Sequence, residues 1–342
     1  MNGGVAGKEA RALLLRLPAP NNGRAGEEGP VQPKSGAESS ATLGLHQSMQ
    51  QVSGSLDDLR SEIDKIDDAL QDLLARRVSL SRAIARAKLV DSSAVTLSSA
   101  MRPAREAIII RRLLARHAGE LAPQLVIGIW REIISSSLRA QISFRGHVFA
   151  GDGETAYVGM ARAYFGSEAP IRTHGKPSLV IHACAEDQNA LGVVPLPLIE
   201  EPGPAWWAQL APAGEKGPRI IARLPIVTEE DAPSAYVIGA IEQEPTGDDT
   251  TLLLLEMPPG KSRTRLQVLL KEVGLPARLA AAGRIAQKNV PDEILLEVDG
   301  FVGKDDSRLA ALAKAAGDTI ARIEPIGGFA NPIALPLKSG TS

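Results

Sequence analysis

The chain has little of what marks secreted, membrane-spanning or nucleic-acid-binding proteins. Its 342 residues include one cysteine, Cys184, which excludes an intramolecular disulfide and fits a reducing cytoplasm. No apolar run approaches the roughly 18 residues that a membrane-spanning helix needs. The formal net charge is -2, with cations and acids mixed, whereas nucleic-acid-binding proteins carry a basic patch. We therefore expect a cytoplasmic protein with no nucleic-acid or membrane partner.

Composition divides the chain into four stretches. Residues 1–50 are rich in Gly, Pro, Ser and Ala and lack periodicity, so we predict a disordered tail, with Met49 as an alternative start of the protein. Residues 51–145 have helical periodicity. Residues 146–245 contain short apolar runs punctuated by Gly and Pro, which is typical of strands. The order of predicted elements in residues 248–335 is βαββαβ, which indicates a ferredoxin-like unit.

Three helices are predicted in the first organised stretch, where apolar residues recur every three or four positions. The first covers Leu56–Lys88 and would be about 50 Å long at 1.5 Å per residue. A helix of this length needs a partner, so we expect a dimer. A Ser-rich loop is predicted over Asp91–Ala100. The second helix runs from Pro103 to near Gly119 and the third from about Pro123 to Phe144.

The later stretches are predicted to contain strands and two further helices. Strands are expected at His147–Phe149, Leu179–Ile181, Gly192–Val194, Ile220–Ala222 and Tyr236–Ile238. In the βαββαβ unit, strands are expected at Leu252–Glu256, Ala277–Ala281, Glu293–Val298 and Thr319–Pro325, and helices at Arg263–Glu272 and Asp306–Ala316.

Charged side chains occupy positions where the predicted helices should be apolar. On a helical wheel Arg77 and Lys88 lie inside the apolar stripe of the first helix, so they must snorkel, pair with acids or meet a bound anion. Arg60 lies on a different face and could reach a site made by another helix or another subunit. Glu106 and Gln141 fall on the apolar faces of the second and third helices. The pattern favours a polar constellation inside a helical bundle. The alternative is a set of charges at the edge of the stripe, with Glu106 paired to a neighbouring Lys or Arg.

This helical segment resembles the all-helical class of chorismate mutase over about 90 residues. The shared motifs are Leu59-Arg60-x-x-Ile63-Asp64-x-Ile66-Asp67, Leu73-Leu74-x-x-Arg77, Ile84-Ala85-x-Ala87-Lys88, Pro103-Ala104-Arg105-Glu106 and Ile133-Ile134-x-x-Ser137-x-x-x-Gln141. The separations of 17 residues between Arg60 and Arg77 and of 11 between Arg77 and Lys88 also match. The resemblance implies an isomerase that converts chorismate to prephenate in phenylalanine and tyrosine biosynthesis, built as an intertwined helical dimer.

The resemblance also implies roles for the matching residues. Arg77 would hold a substrate carboxylate, and Arg60 would hold a carboxylate in the partner subunit's site. The other assignments place Lys88 and Gln141 at the ether oxygen, Arg105 at the anionic end of the substrate, Glu106 at the ring hydroxyl and Ser137 in the wall of the site. Arg77, Lys88, Glu106 and Gln141 would be the catalytic residues. The pattern departs from the family at Arg102, where an acid usually stands four residues before the Glu.

These residue types suit the chemistry of the rearrangement. The reaction is intramolecular and requires no nucleophile, general base, metal or cofactor. The enzyme must hold a dianion in a near-attack shape and stabilise negative charge on the ether oxygen as its bond breaks. Bidentate arginines suit the carboxylates, while a lysine and a neutral amide suit the ether oxygen. The alternatives are a lyase of the same fold acting on isochorismate and a sensor whose mutase domain only binds.

The remainder resembles, more weakly, a prephenate dehydratase followed by an ACT-type regulatory domain. Gly151-Asp152-Gly153-Glu154-Thr155 and Gly192-Val193-Val194-Pro195 resemble dehydratase motifs, but its Thr-Arg-Phe reads Pro218-Arg219-Ile220. Only 67 residues separate Gly151 from Pro218, which implies a missing lobe. We therefore interpret residues 146–245 as a non-catalytic α/β remnant and residues 248–335 as ACT-like, with an aromatic amino acid as candidate effector. The alternative is a bifunctional mutase and dehydratase.

Overall fold

The computed structural model describes residues 54–91, 95–118, 120–153, 155–201, 205–213, 217–228, 232–283 and 291–335. The predicted disordered tail at residues 1–50 lies outside the described residues, and so does the alternative start at Met49.

Four helices precede the first strand: α1 (Leu56–Asp91), α2 (Leu97–Ala100), α3 (Pro103–Ala115) and α4 (Pro123–Arg139). The three long helices confirm the prediction, although α3 and α4 end a few residues earlier than expected. Pro103 and Pro123 each occupy the first turn, where the missing N–H costs nothing. The predicted loop contains the short helix α2, which a capping box between Thr96 and Ser99 begins.

The described residues after α4 form one mixed sheet with helices packed against it. Its strands are β1 (Arg145–Phe149), β2 (Ile171–His174), β3 (Ala190–Pro195), β4 (Glu200–Glu201), β5 (Arg219–Leu224), β6 (Ala235–Gly239), β7 (Asp249–Met257), β8 (Ala277–Gly283), β9 (Asp292–Asp299) and β10 (Arg322–Ala330). Their order is β2-β1-β3-β6-β5-β10-β7-β9-β8-β4. The helices among them are α5 (Ala156–Phe165), α6 (Pro177–Glu186), α7 (Arg263–Glu272) and α8 (Ser307–Ala316).

One predicted strand is wrong and one is displaced. Leu179–Ile181 lies in helix α6, where Val180, Ile181 and Cys184 are buried at helical spacing. Pro177 occupies the first turn of that helix, a start signal that outweighs the β-like composition of the run. The last predicted strand begins at Arg322 rather than Thr319, because residues 317–319 form a 3₁₀ turn. The other predicted strands are confirmed.

The predicted βαββαβ order is confirmed in the last third of the chain. Strands β7, β8, β9 and β10 are antiparallel in the order β10-β7-β9-β8, with α7 and α8 connecting them. One face of this sheet packs against both helices through a buried apolar cluster that includes Leu253, Leu255, Leu269, Leu296 and Leu312.

Helices α2, α3 and α4 bury apolar side chains against the strand-containing part of the chain. Leu97, Met101 and Leu138 share one cluster with residues of β1, β3 and α5. Ile110 of α3 and Ile134 of α4 belong to another cluster that also contains residues following β5 and β10. Helices α2, α3 and α4 are therefore packed continuously with the sheet, which fixes the orientation of α3 and α4.

Helix α1 exposes its apolar side chains. Those on its later turns that are 39–62% exposed are Leu70, Leu73, Leu74, Leu80 and Ile84. In its first turns Leu56, Ile63 and Ile66 are 51–62% exposed. Despite this composition, none of the helices in the described part of the chain is long and apolar enough to span a membrane.

Candidate active site

A cationic cleft lies where α1, α3 and α4 meet the segment that follows β6. Its volume is about 790 Å³, within the range of small-molecule sites. The charged residues that line it are Arg77, Arg102, Arg105, Arg112 and Glu244. Trp130 of α4 and Ile108 and Ile109 of α3 add apolar surface. A concave surface with four guanidinium groups and one carboxylate is suited to an anion rather than to a cation.

Arg77 is held in place by α4. Its guanidinium donates to the Ser137 hydroxyl and to the carbonyl oxygen of Ile133 at 3.3 Å, and its Cζ lies 5.9 Å from the centre of the Trp130 ring. Burial lowers the pKa of Arg77, but an arginine stays protonated under all physiological conditions. The structure thus brings together Arg77 and Ser137, as the sequence predicts, and presents the arginine to the cleft.

Gln141, two residues after the end of α4, extends this hydrogen-bonded arrangement. Its Nε2 donates to the carbonyl oxygen of Ser137 at 3.1 Å. Its Oε1 is buried and has no hydrogen-bond partner within the described residues. The predicted site residues Arg77, Ser137 and Gln141 therefore form one connected group that spans α1 and the end of α4.

Lys88 approaches the same region from the end of α1. Its ammonium donates to the carbonyl oxygen of Ser99 in α2. Burial, and after it the charge of Arg102, lowers the pKa of Lys88. Lys88 and Arg102 are therefore close enough to repel each other, so an anion bound between them would be stabilised by both.

Glu106 is turned away from the cleft. The Glu106 carboxylate accepts from Nη1 of Arg131 at 2.7 Å, and both side chains are buried. Arg131 also donates to the carbonyl oxygen of Tyr164, and its Cζ lies 4.1 Å from the centre of that ring. Burial alone would lower the pKa of Arg131, but the charge of Glu106, the neighbouring Tyr164 and the hydrogen bond to Glu106 together outweigh it, and the pKa is raised. The structure does not bring Glu106 together with Arg77. Glu106 is instead paired with an arginine, as in the alternative interpretation of the sequence.

The two remaining predicted residues differ in their surroundings. Arg105 is exposed on α3 and lines the cleft together with Arg77. Arg60 is exposed in the first turns of α1, where its Nη1 lies 3.4 Å from Asp57. Arg105 therefore has a place in the cleft of its own chain, whereas the predicted role of Arg60 requires a partner subunit.

Sequence reasoning missed two residues. Arg131 stands four residues after Ile127 and seven before Leu138, inside the apolar stripe of α4, so the wheel that identified Arg77 could have identified it too. Glu244 gave no such signal, because it lies in a loop 142 residues away from its partner Arg102.

Comparison with known proteins finds a family that matches the helical segment. Residues 59–142 match the family model of chorismate mutase type II. None of the curated proteins compared matches the chain.

Three solved structures resemble the chain at low identity. GqqA, described as a novel type of quorum quenching acylase, is 15% identical with a TM-score of 0.42, over 55% of this chain and 95% of that one. The prephenate dehydratase of Streptococcus mutans is 14% identical with a TM-score of 0.40, over 56% and 100%. The prephenate dehydratase of Arthrobacter aurescens in complex with L-Phe is 13% identical with a TM-score of 0.40, over 55% and 90%. TM-scores below 0.5 do not define the fold of this chain.

The matched segment contains the hydrogen-bonded group around Arg77, all four arginines of the cleft and Lys88. On this match to the chorismate mutase type II model, the chain is an isomerase with chorismate mutase activity.

Proposed function

We propose that the cationic cleft is the chorismate mutase site and that Arg77 and Arg105 bind the two carboxylates of chorismate. The observation that carries this proposal is the orientation of Arg77, which Ser137 and the Ile133 carbonyl direct towards the cleft shared with Arg105. Guanidinium groups on two different helices can grip two carboxylates of one small molecule at once. Fixing both ends favours the compact shape from which the rearrangement proceeds.

Lys88 and Gln141 are proposed to act on the ether oxygen. This atom gains negative charge as its bond to the ring breaks, so a positioned cation and a neutral donor stabilise the transition state more than the substrate. Gln141 is tied to the backbone at Ser137, and Lys88 is tied to the backbone at Ser99. These attachments restrict both side chains before substrate arrives, which reduces the reorganisation that the reaction requires. All steps take place within one substrate molecule, and the side chains only bind and stabilise it.

A homodimer is proposed to cover the exposed face of α1. Fully burying a Leu or Ile side chain stabilises a protein by about 1.5–3 kcal/mol, and the large apolar side chains of α1 are each about half exposed. A second copy of the helix offers the same apolar surface and so covers this one symmetrically. In such a dimer Arg60 of the partner subunit would add a further cation to the cleft.

The role predicted for Glu106 at the ring hydroxyl requires its release from Arg131. We propose that Glu106 instead fixes α3 to α4 as the buried partner of Arg131, and so holds the preceding residue, Arg105, in its position. The ion pair at 2.7 Å and the burial of both side chains support this role.

The part of the chain after residue 145 is proposed to lack dehydratase activity. At the position of the expected Thr-Arg-Phe motif, Ile220 is the second residue of β5 and is fully buried in the core, so it contacts no substrate. The βαββαβ unit is proposed to be regulatory, with an aromatic amino acid as its effector.

Steady-state kinetics of chorismate consumption tests the proposed site. Arg77→Ala and Arg105→Ala should each lower kcat/KM, Arg77→Ala by at least about a hundredfold, because it removes a charge-assisted contact of roughly 3 kcal/mol. Arg116→Ala is the matched control, since Arg116 is an exposed arginine at the end of α3 outside the cleft. Near-normal activity of Arg77→Ala would refute the assignment of the cleft.

A further inference from the structure

An ion pair inside the cleft joins the helical segment that matches the mutase family, residues 59–142, to the second half of the chain, which follows residue 145. Arg102, the residue before α3, donates from Nη2 to Oε1 of Glu244 at 2.6 Å and from Nε to Oε2 at 3.1 Å. This is the two-point geometry in which a guanidinium binds a carboxylate most specifically. Both residues also line the cleft with Arg77. Glu244 therefore places a carboxylate where the proposed function requires the carboxylates of a substrate.

The segment that carries Glu244 is fastened to the mutase helices. Two residues later, the Thr246 hydroxyl accepts from Arg111 of α3 at 2.9 Å, and the Thr246 backbone N–H donates to Asp249 at 2.7 Å. Arg111 also donates to the backbone of Asn331 at 2.9 Å. These hydrogen bonds hold the segment after β6 against α3, and so they set the position of Glu244 at the cleft.

The ion pair itself is easily exchanged. The side chains of Arg102 and Glu244 are 50% and 42% exposed, and exposed ion pairs contribute only about 0–1 kcal/mol. The surroundings of Arg102 are strongly positive, since Arg77, Arg105 and Arg112 line the same cleft and Lys88 is near enough for repulsion. A dianion entering the cleft brings carboxylates that fit Arg102 as well as Glu244 does and that interact with the other cations too.

We propose that Arg102 is a third substrate-binding arginine and that Glu244 is an internal carboxylate that occupies it until substrate arrives. On binding, a carboxylate of the substrate replaces Glu244 on the Arg102 guanidinium, and Glu244 turns to solvent. Glu244 thereby sets the affinity of the mutase site for its dianionic substrate, and the second half of the chain takes part in the mutase reaction. This inference rests on the proposed function, because it takes the cleft to be the substrate site.

The proposal fixes the direction in which each variant changes the kinetics. Glu244→Gln removes the competing charge, so kcat/KM for chorismate should rise about twofold to fivefold through a lower KM, as expected for up to roughly 1 kcal/mol of lost competition. Arg102→Gln should raise KM by a similar factor, because it removes a cation that binds the substrate before and during reaction. In the Arg102→Gln background, Glu244→Gln should change KM by less than about twofold.

The decisive experiment measures KM and kcat of the full chain and of these variants. Glu242→Gln is the matched control, because Glu242 is an exposed acid two residues earlier that does not line the cleft. An unchanged or raised KM in Glu244→Gln would overturn the proposal, and so would a fall in kcat alone, which would make Glu244 a group that acts on bound substrate.

A second variant at Glu244 and the activity of Arg77→Ala separate failure of this inference from failure of the proposed site. If Glu244→Gln does not fold, Glu244→Asp draws the carboxylate back by one methylene and should lower KM by a smaller factor; an unchanged KM would again overturn the proposal. Loss of activity in Arg77→Ala together with no effect at Glu244 would refute only this inference. Full activity in Arg77→Ala would refute the proposed site itself.

Discussion

Arg131 is the residue on which the burial of Glu106 depends. The two side chains are 5% and 11% exposed, and their pairing places one full charge of each sign in the packed interface of α3 and α4. A carboxylate and a guanidinium are tolerated there because each satisfies the other and Arg131 also donates to a backbone carbonyl. The Nε of Arg131 has no partner within the described residues, so the guanidinium already lacks one of its hydrogen bonds.

Replacing Glu106 should therefore act mainly on stability. Glu106→Gln leaves the Arg131 charge buried without compensation, and we expect the free energy of unfolding to fall by about 3–5 kcal/mol. Urea unfolding followed by circular dichroism measures this change. Glu132→Gln is the control, since Glu132 and its partner Arg139 are much more exposed and should contribute less than about 1 kcal/mol.

The double variant Glu106→Leu with Arg131→Met should recover most of the lost stability, because apolar side chains of similar size remove both charges together. A stable Glu106→Gln protein that has lost its mutase activity would contradict the structural role and would restore the role at the ring hydroxyl.

Individual residues of the site could be predicted from the sequence, but the partners of their side chains could not. Arg77 and Gln141 stood out because a charged or amide side chain in an apolar stripe requires an explanation, and the structure connects both through Ser137. Periodicity reports which face of a helix is apolar but not what that face meets. Glu106 lies on the expected face, yet its partner Arg131 belongs to α4, and Arg131 in turn donates to Tyr164 of α5.

At the scale of elements, long amphipathic segments were predictable and short apolar runs were not. Helix α7 has the predicted bounds, and α1 begins at the predicted residue, because many positions agree on one period. The run Leu179–Ile181 is too short to distinguish strand from helix, and only Pro177 at the first turn of α6 favours the helix. The sheet order could not be predicted, since it depends on pairings between distant parts of the chain.

The exposed face of helix α1 leads to a prediction that two subunits share the residues of one site. If Arg60 acts in the partner subunit's site, Arg60→Ala and Arg77→Ala proteins should each be inactive alone. Mixed after subunit exchange, they should regain roughly a quarter of wild-type activity, because half of the dimers are mixed and each has one intact site. Chorismate consumption measures the recovery, and size-exclusion chromatography with a tagged subunit verifies exchange. No recovery in verified mixed dimers would show that Arg60 does not act across the interface.

The neighbouring strands β1 and β2 carry a histidine pair that makes stability depend on pH. Nδ1 of His147 lies 2.8 Å from Nε2 of His174. Burial, then His174 and the nearby Arg145 and Arg172, lowers the pKa of His147, although Asp187 opposes this; burial and then Arg172 lowers that of His174. The unfolded chain therefore binds more protons than the folded one below the ordinary histidine pKa of about 6.5.

We accordingly expect the melting temperature to fall as the pH is lowered from about 7 to 5, with stability fully present above the unfolded pKa. The variant His174→Gln should show a smaller fall over this range. Thermal unfolding at constant ionic strength measures the difference, and His182→Gln is the control because His182 is exposed on α6. Equal slopes in His174→Gln and wild type would show that the pair does not control this dependence.

At the scale of the whole molecule, the mutase helices and the sheet share their apolar cores. Leu97 and Met101 from the helical segment are almost fully buried, in a cluster with Val148 and Val193 of the sheet. Burying each such side chain contributes about 1.5–3 kcal/mol. The part of the chain after residue 145 thus contributes stability to the segment that matches the chorismate mutase family.

For the whole molecule we also predict the absence of a second activity, the dehydration of prephenate. The intact protein should form no phenylpyruvate from prephenate above the spontaneous rate, because Pro218 and Ile220 replace the Thr and Phe of the expected motif and Ile220 is fully buried. The assay is run at neutral pH, where the acid-promoted background is small, with a heat-denatured sample as control. A rate proportional to protein concentration would make the chain bifunctional.

The claim that the cationic cleft is the mutase site is tested most directly by a crystal structure of the intact protein with a bicyclic dicarboxylate that mimics the transition state of the rearrangement. The account predicts one analogue molecule in the cleft, with its carboxylates on Arg77 and Arg105, its bridging oxygen facing Lys88 and Gln141, and Glu244 displaced from Arg102. An analogue bound elsewhere, with the cleft unoccupied at saturating concentration, would contradict it.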